Sequence, residues 1–336
     1  MSVLPVDLTG ACFPARYRTN LIKIRKGWQA QGLTQVKPGG GVMDEGKGKR
    51  WLTSEGASGL KLISPPLIYA VLMLAAPLVT MAIFSVLTDG YLTILPIFTL
   101  QNYIDTWSDV IYRSIMFRSL VVSVSVTAAT VILAYPVAYF VSFNVAQDKK
   151  SLWLFLITIP FWTSYLIRVF MWKVILGYNG VINSGLKALH IIDQPLGWLN
   201  YNVGAMVLTL AHAYAPFAIL PIYVSLEKIE RALLEAGQDL GESRFLTFWR
   251  VTLPLSMPGV IAAVLIVFIP TIGDYVTPNL IGGGKIPMIA NAIEKLMLKA
   301  DNKPLGSAIA ISAMMIVGVV SLLFLFLNRR FMRGQR

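Results

Sequence analysis

The chain has 336 residues, of which 56% are hydrophobic and only 14% charged, where a soluble domain carries about 25% charged residues. With a mean hydropathy of +0.65, it reads as a multi-span membrane protein. The excess of 29 Lys+Arg over 17 Asp+Glu therefore speaks to orientation in a bilayer before nucleic-acid binding. One cysteine, Cys12, and two histidines exclude an internal disulfide and Cys-ligated metal centres, and leave little for a His-rich one.

Residues 1–60 carry Gly39-Gly40-Gly41, scattered basic residues and few periodic apolar positions, the pattern of a largely disordered cytoplasmic tail. Three readings stay open for it: a membrane-surface segment, a plain disordered extension, or an upstream start preceding a true one at Met43. Gly41-x4-Gly46-Lys47 resembles a phosphate loop, but Gly48 stands where Ser or Thr is needed and no strand precedes it.

Six apolar stretches follow, near 64–88, 116–143, 152–176, 202–226, 256–278 and 305–328. Crossing a bilayer takes about 20 helical residues, and none of the stretches alternates as barrel strands do. Pro77, Pro136, Pro160, Pro216 and Pro270 lie inside them, which packed membrane helices tolerate. The expected fold is all-α, with a six-helix membrane domain over 61–336. The segments 1–63, 144–151, 227–255 and 329–336 hold 20 Lys+Arg against 6 in the intervening loops. Both termini are therefore expected in the cytoplasm.

The loop after the first span is acidic, with Asp89, Asp105 and Asp109, fit either for solvent or for a basic partner. Ser119, Ser123 and Thr127 in span two suit close helix packing. Trp162, Tyr165, Arg168 and Lys173 fall in span three and His212 in span four; the basic pair is expected to snorkel or pair internally. In the loop 226–255, Leu226, Ile229, Leu233 and Leu234 keep helical spacing. A stop near Gly241 and a second short helix from Ser243, with Phe245, Phe248 and Trp249 on one side, complete it. Such helices lie on lipid or dock in a partner's groove. Asp274 ends an uncharged fifth span beside Tyr275. It either attracts a cation on a solute path with Tyr275, Trp162 and Tyr165 as aromatic partners, pairs with Arg168, or caps a broken helix. Gly282-Gly283-Gly284-Lys285 lies on the side away from ATP. No catalytic cluster is present, so no enzymatic role is assigned.

Glu235-Ala236-Gly237-x3-Gly241-x9-Val251-x-Leu253-Pro254 resembles the EAA loop of binding-protein-dependent ABC import permeases, departing only at Gly237 and Val251. Thr99–Tyr103, Tyr135–Phe140, Ile159–Arg168 and Gly273–Pro278 with Gly282-Gly283 are similar to the spermidine/putrescine permease subfamily. The resemblance covers about 62–332 and implies a type I importer fold with six transmembrane helices. It also implies a coupling helix that docks an ATPase through Glu235, Ala236, Gly237 and Gly241, with Leu253 and Pro254 closing the motif. ATP and magnesium would then sit on that separate ATPase, leaving this chain without a cofactor. The implied partners are ABC ATPase subunits, a second homologous permease and a periplasmic solute-binding protein, in the lipid of a bacterial inner membrane. Permeases for other small solutes share much of this pattern. The rival outside the family is a stand-alone secondary transporter, which would show internal repeats and more intramembrane charge.

Overall fold

The computed structural model describes residues 55–90 and 93–333. The expectations for residues 1–54, including the phosphate-loop-like run and Met43, lie outside the described residues. The chain divides into two units, 1–70 and 71–336, and the packing below is that of the second.

Helix α1 (Glu55–Ser85) begins inside the segment read as tail. A hairpin of β1 (Leu87–Asp89) and β2 (Ile94–Phe98) follows, antiparallel with Leu87 opposite Phe98 and Asp89 opposite Ile94. Then come α2 (Gln101–Ser108), α3 (Val110–Tyr139) with a π turn at Phe140–Asn144, α4 (Gln147–Thr158), a 3-10 turn at Ile159–Trp162, α5 (Tyr165–Leu176), α6 (Val181–Ala188) and α7 (Val203–Glu227). The second half holds α8 (Arg231–Asp239), α9 (Arg244–Thr247), a π turn at Phe248–Thr252, α10 (Leu253–Ile272), α11 (Val276–Leu280), α12 (Ile289–Glu294), α13 (Lys303–Leu327) and α14 (Arg329–Arg333).

Among the described residues, six helical segments are long and apolar enough to cross a membrane: Ile63–Ser85, Val110–Asn144, Tyr165–Ala188, Val203–Glu227, Arg244–Ile272 and Lys303–Leu327. Three boundaries differ from the sequence expectation. Span two starts at Val110 because the Asp109 carboxylate caps it, accepting the Ile111 N–H at 2.7 Å. The third stretch, 152–176, is not one helix. Pro160 sits in the first turn of the 3-10 segment and Thr163 turns extended (φ −97°, ψ 135°), so the apolar window falls on Tyr165–Ala188. The fifth helix ends at Ile272, and Asp274 lies beyond it.

Asn202 and Asn302 cap α7 and α13, each side-chain oxygen accepting an N–H three residues on where Asp109 accepts one two residues on; such caps are worth about 1 kcal/mol. The bundle core is built by α3, α7 and α10, with Val126, Ala138, Met206, Leu210, Ile222 and Val267 fully enclosed. A second cluster joins α3 and α10 to α12 and α13 through Met116, Phe268, Ile289 and Ile309. A Cβ on Gly259 would lie 2.4 Å from the Pro221 carbonyl oxygen and 2.5 Å from Ser225 Cβ, so glycine permits the closest approach of α7 and α10. Several polar groups inside this core find partners, while the buried Ser123 and Thr209 hydroxyls have none among the described residues. Ser119, Thr127 and Thr130 donate to carbonyls one turn back at 2.6–2.8 Å, and the Tyr135 and Ser256 hydroxyls meet at 2.8 Å between α3 and α10.

Candidate functional site

Two sets of sequence-expected residues lie at opposite ends of α10. The first is the loop 226–255. Helix α8 carries Glu235, Ala236 and Gly237, and none of its residues is buried. It stops by a motif that sequence spacing placed correctly. Gly241 takes φ +86°, its N–H bonds the Gln238 carbonyl at 2.9 Å, and the Glu242 N–H bonds the Gly237 carbonyl at 3.1 Å. This is the paired closure in which a left-handed residue follows the helix end. Gly241 is required for its dihedral, since a Cβ there would meet nothing within 4 Å. Gly237 serves close approach instead: its Cβ would lie 3.3 Å from Thr247 Cγ2, so α9 folds back against α8.

The Ser243 hydroxyl caps α9 by accepting the Leu246 N–H at 3.3 Å, and Arg250 pairs with Glu242 at 2.8 Å across the turn. The three aromatic residues do not share one side. Phe248 turns inward, edge-on to Tyr135 at 5.6 Å, and joins the core. Phe245, 71% exposed, and Trp249 face outward. Exposed Leu233 on α8 and Leu240 just after it add to the outward-facing apolar surface of the loop. Phe248 thus anchors a surface that the other described residues do not cover.

Leu253 and Pro254 explain the join to α10. A proline within a helix loses its N–H and crowds the carbonyl four residues back, here Arg250. The chain responds with the π turn Phe248–Thr252, in which the Leu253 N–H reaches the Phe248 carbonyl. Leu253 packs against the core, so the motif's last two residues set how the loop enters the bundle.

The second set lies at the far end of α10. Asp274 is 6% exposed, and its carboxylate accepts the Val276 N–H at 3.1 Å and the Thr277 N–H at 3.3 Å. Of the alternatives the sequence left open, the capping geometry is present. No ion pair joins Asp274 to Arg168 among the described residues; Arg168 donates to the Ala213 carbonyl at 3.3 Å instead. Tyr165 is brought to the same corner, its hydroxyl 2.9 Å from Thr277 Oγ1 and its ring 6.3 Å from that of Tyr214. Tyr275 holds the corner from outside: its carbonyl accepts from Asn291 at 2.9 Å, while its side chain is exposed. Trp162 is 74% exposed and stacks edge-on against Phe155 at 5.3 Å, so it is not gathered into the cluster.

Sequence reading missed Thr277 and Tyr214, which complete the corner; Tyr214 carried a signal only as a neighbour of His212 and Pro216 in an apolar span. His212 itself accepts the Trp172 indole N–H at 3.1 Å, a packing role.

Known proteins match this chain along most of its length. The PotB spermidine/putrescine transport system permease protein of Haemophilus influenzae is 35% identical over 231 residues, spanning 69% of this chain and 80% of that protein. Its Escherichia coli K12 counterpart is 36% identical over 228 residues, 68% and 82% of the two chains. A crystal structure of a bacterial alginate ABC transporter, in complex with an alginate pentasaccharide-bound periplasmic protein, aligns with a TM-score of 0.64 at 17% identity over 84% of this chain and 98% of that one, a likeness of fold. The family described as the inner membrane component of binding-protein-dependent transport systems matches residues 132–336. The chain belongs to that family, the membrane-embedded permease components of ABC importers.

Proposed function

We propose that this permease carries polyamines, spermidine or putrescine, into the cell as part of an ATP-driven importer. The observation that carries the substrate class is the 35% identity to a spermidine/putrescine permease over 80% of that protein's length. The chain forms one half of the translocation path, and a second homologous permease forms the other. A periplasmic binding protein delivers the solute, and separate ATPase subunits, which hold ATP and magnesium, supply the energy. Both termini face the cytoplasm. The loop 226–255 is then cytoplasmic, and α8 with Glu235, Ala236, Gly237 and Gly241 seats in the ATPase. The exposed Leu233, Leu240, Phe245 and Trp249 supply apolar contact area there, as an amphipathic helix does in a groove. Coupling at a distance needs an element with two states that both sites bias, and α8, joined to α7 by a short link, is that element. At the other end, Asp274 lends negative charge to a path bordered by Tyr165, Tyr275 and Trp162, where a flexible polycation is held by Coulomb and cation–π attraction.

The test is reconstitution with the second permease, the ATPase and the binding protein in liposomes. ATP-dependent uptake of labelled putrescine or spermidine, absent when the ATPase is left out, is the expected result. Uptake of neither polyamine, with uptake of another solute class offered by the same binding protein, overturns the substrate assignment.

A further inference from the structure

An ion pair between a buried lysine and a solvent-accessible glutamate lies beside the loop that the docking reading singles out. Lys150 on α4 is 6% exposed, and its Nζ stands 2.5 Å from Glu227 Oε1, the last residue of α7. The same oxygen accepts the Ser142 hydroxyl at 2.8 Å, and Ser142 belongs to the π turn that ends α3. One carboxylate oxygen thus ties the ends of three helices. A buried ammonium is held only by its partner, and removing that partner leaves an uncompensated charge. Around the pair opens a cleft of about 560 Å³, lined among others by Phe143, Gln147, Ile229 and Arg231.

The position of the pair matters more than its strength. Between Glu227 and Arg231, the first residue of α8, only three residues intervene. Leu226 and Ile229 on either side of the junction are buried, and the Ile229 N–H bonds the Leu226 carbonyl at 3.1 Å. One turn earlier, the Ser225 hydroxyl accepts the Gly259 N–H of α10 at 3.3 Å. The junction has little slack, so a displacement of α8 moves the end of α7 directly. Glu227 then either carries α3 and α4 along or breaks two bonds at once. The adjoining cleft gives these ends room to shift.

We infer that Lys150, Glu227 and Ser142 form a positioning clamp that passes movement of α8 to the ends of spans two and four and to the segment leading into span three. This rests on the reading of α8 as the ATPase-docking helix. The clamp touches neither solute nor nucleotide; it acts through α8.

The experiment uses the complete reconstituted transporter and reads four quantities: co-purification of the ATPase, thermal stability, polyamine uptake, and ATP hydrolysed in response to loaded binding protein. Lys150→Met, which leaves no stranded charge, should retain the ATPase and most of the thermal stability; Glu227→Gln, which keeps the Ser142 contact but leaves the Lys150 ammonium uncompensated, should retain the ATPase with some loss of thermal stability. The ratio of solute taken up to ATP hydrolysed should fall at least fivefold. The exchanged pair Lys150→Glu with Glu227→Lys should restore at least half of that ratio, which neither single reversal does. An unchanged ratio in both single variants overturns the clamp, as does a fall in uptake that tracks protein level with the ratio constant. Loss of the ATPase from the Glu227→Gln complex also overturns it, because the pair would then belong to the docking surface itself. The docking reading fails separately, if replacing Glu235 leaves both ATPase association and coupling intact.

Discussion

At the level of a single residue, Asp274 caps a helix in the structure and carries charge in the proposed path, two roles that one substitution can separate. Its oxygens take the Val276 and Thr277 N–H groups, so removing the side chain altogether would uncap α11 and confuse stability with function. Asparagine caps helices about as well as aspartate, which makes Asp274→Asn a nearly pure deletion of charge. Attraction between unit charges at 4 Å is worth about 1 kcal/mol in water and about 4 kcal/mol near a protein surface. If the charge serves the path, polyamine uptake by the Asn variant should fall at least about fivefold, with thermal stability and ATPase association unchanged. Wild-type uptake in vesicles at matched protein level would reduce Asp274 to a cap. Sequence exposed this residue because a lone carboxylate after an uncharged run stands out. Tyr214 and Thr277 did not stand out, since their nearness to Tyr165 depends on how α5, α7 and α11 meet, and no local spacing encodes that.

At the scale of elements, the loop between the fourth and fifth spans was legible in its helix stop and its second helix start, but not in the facing of its aromatic residues or in the break between Glu227 and Arg231. Its signals are local: a glycine stop, a serine cap and a Leu-Pro entry all act within one or two turns. Gly237 inside α8 and Gly241 just beyond its end differ in physical role, and their substitutions should differ accordingly. Gly237→Ala adds a methyl 3.3 Å from Thr247 Cγ2, a contact that a small rotation relieves, so transport should stay within about twofold of normal. Gly241→Ala forces a left-handed backbone at φ +86°, costing an L-residue about 1–2 kcal/mol. It should loosen the α8–α9 turn, lower ATPase co-purification and reduce uptake several-fold. Equal effects of the two changes would remove the distinction. The break in the third span was not legible. Pro136, Pro216 and Pro270 remain inside their helices, so the presence of Pro160 alone could not mark the point where α4 gives way to α5. Nor was the β1–β2 hairpin, whose strands of 3 and 5 residues are too short to show a period of two.

For the whole molecule, hydropathy predicted six spans because each is a long apolar run with few or no charges, and a run of that kind has few alternatives to a membrane helix. Orientation rests on a weaker signal, the bias of 20 against 6 basic residues, and it admits a direct test. Phe98 on β2 and Phe245 on α9 are both well exposed, and the second, third and fourth spans separate them. An odd number of crossings puts them on opposite faces of the bilayer. The sequence holds one cysteine, Cys12, so Cys12→Ser provides a thiol-free background in which Phe98→Cys and Phe245→Cys each carry a single label site. With cytoplasmic termini, a membrane-impermeant maleimide added to spheroplasts should label Phe98→Cys and spare Phe245→Cys until the membrane is opened. The reverse pattern would place the loop 226–255 outside the cell, away from any ATPase, and would overturn the coupling assignment together with the topology. Labelling of both sites in intact spheroplasts would mean that the chain crosses an even number of times between them, and the break in the third span at Ile159–Ser164 would be the place where a crossing is lost.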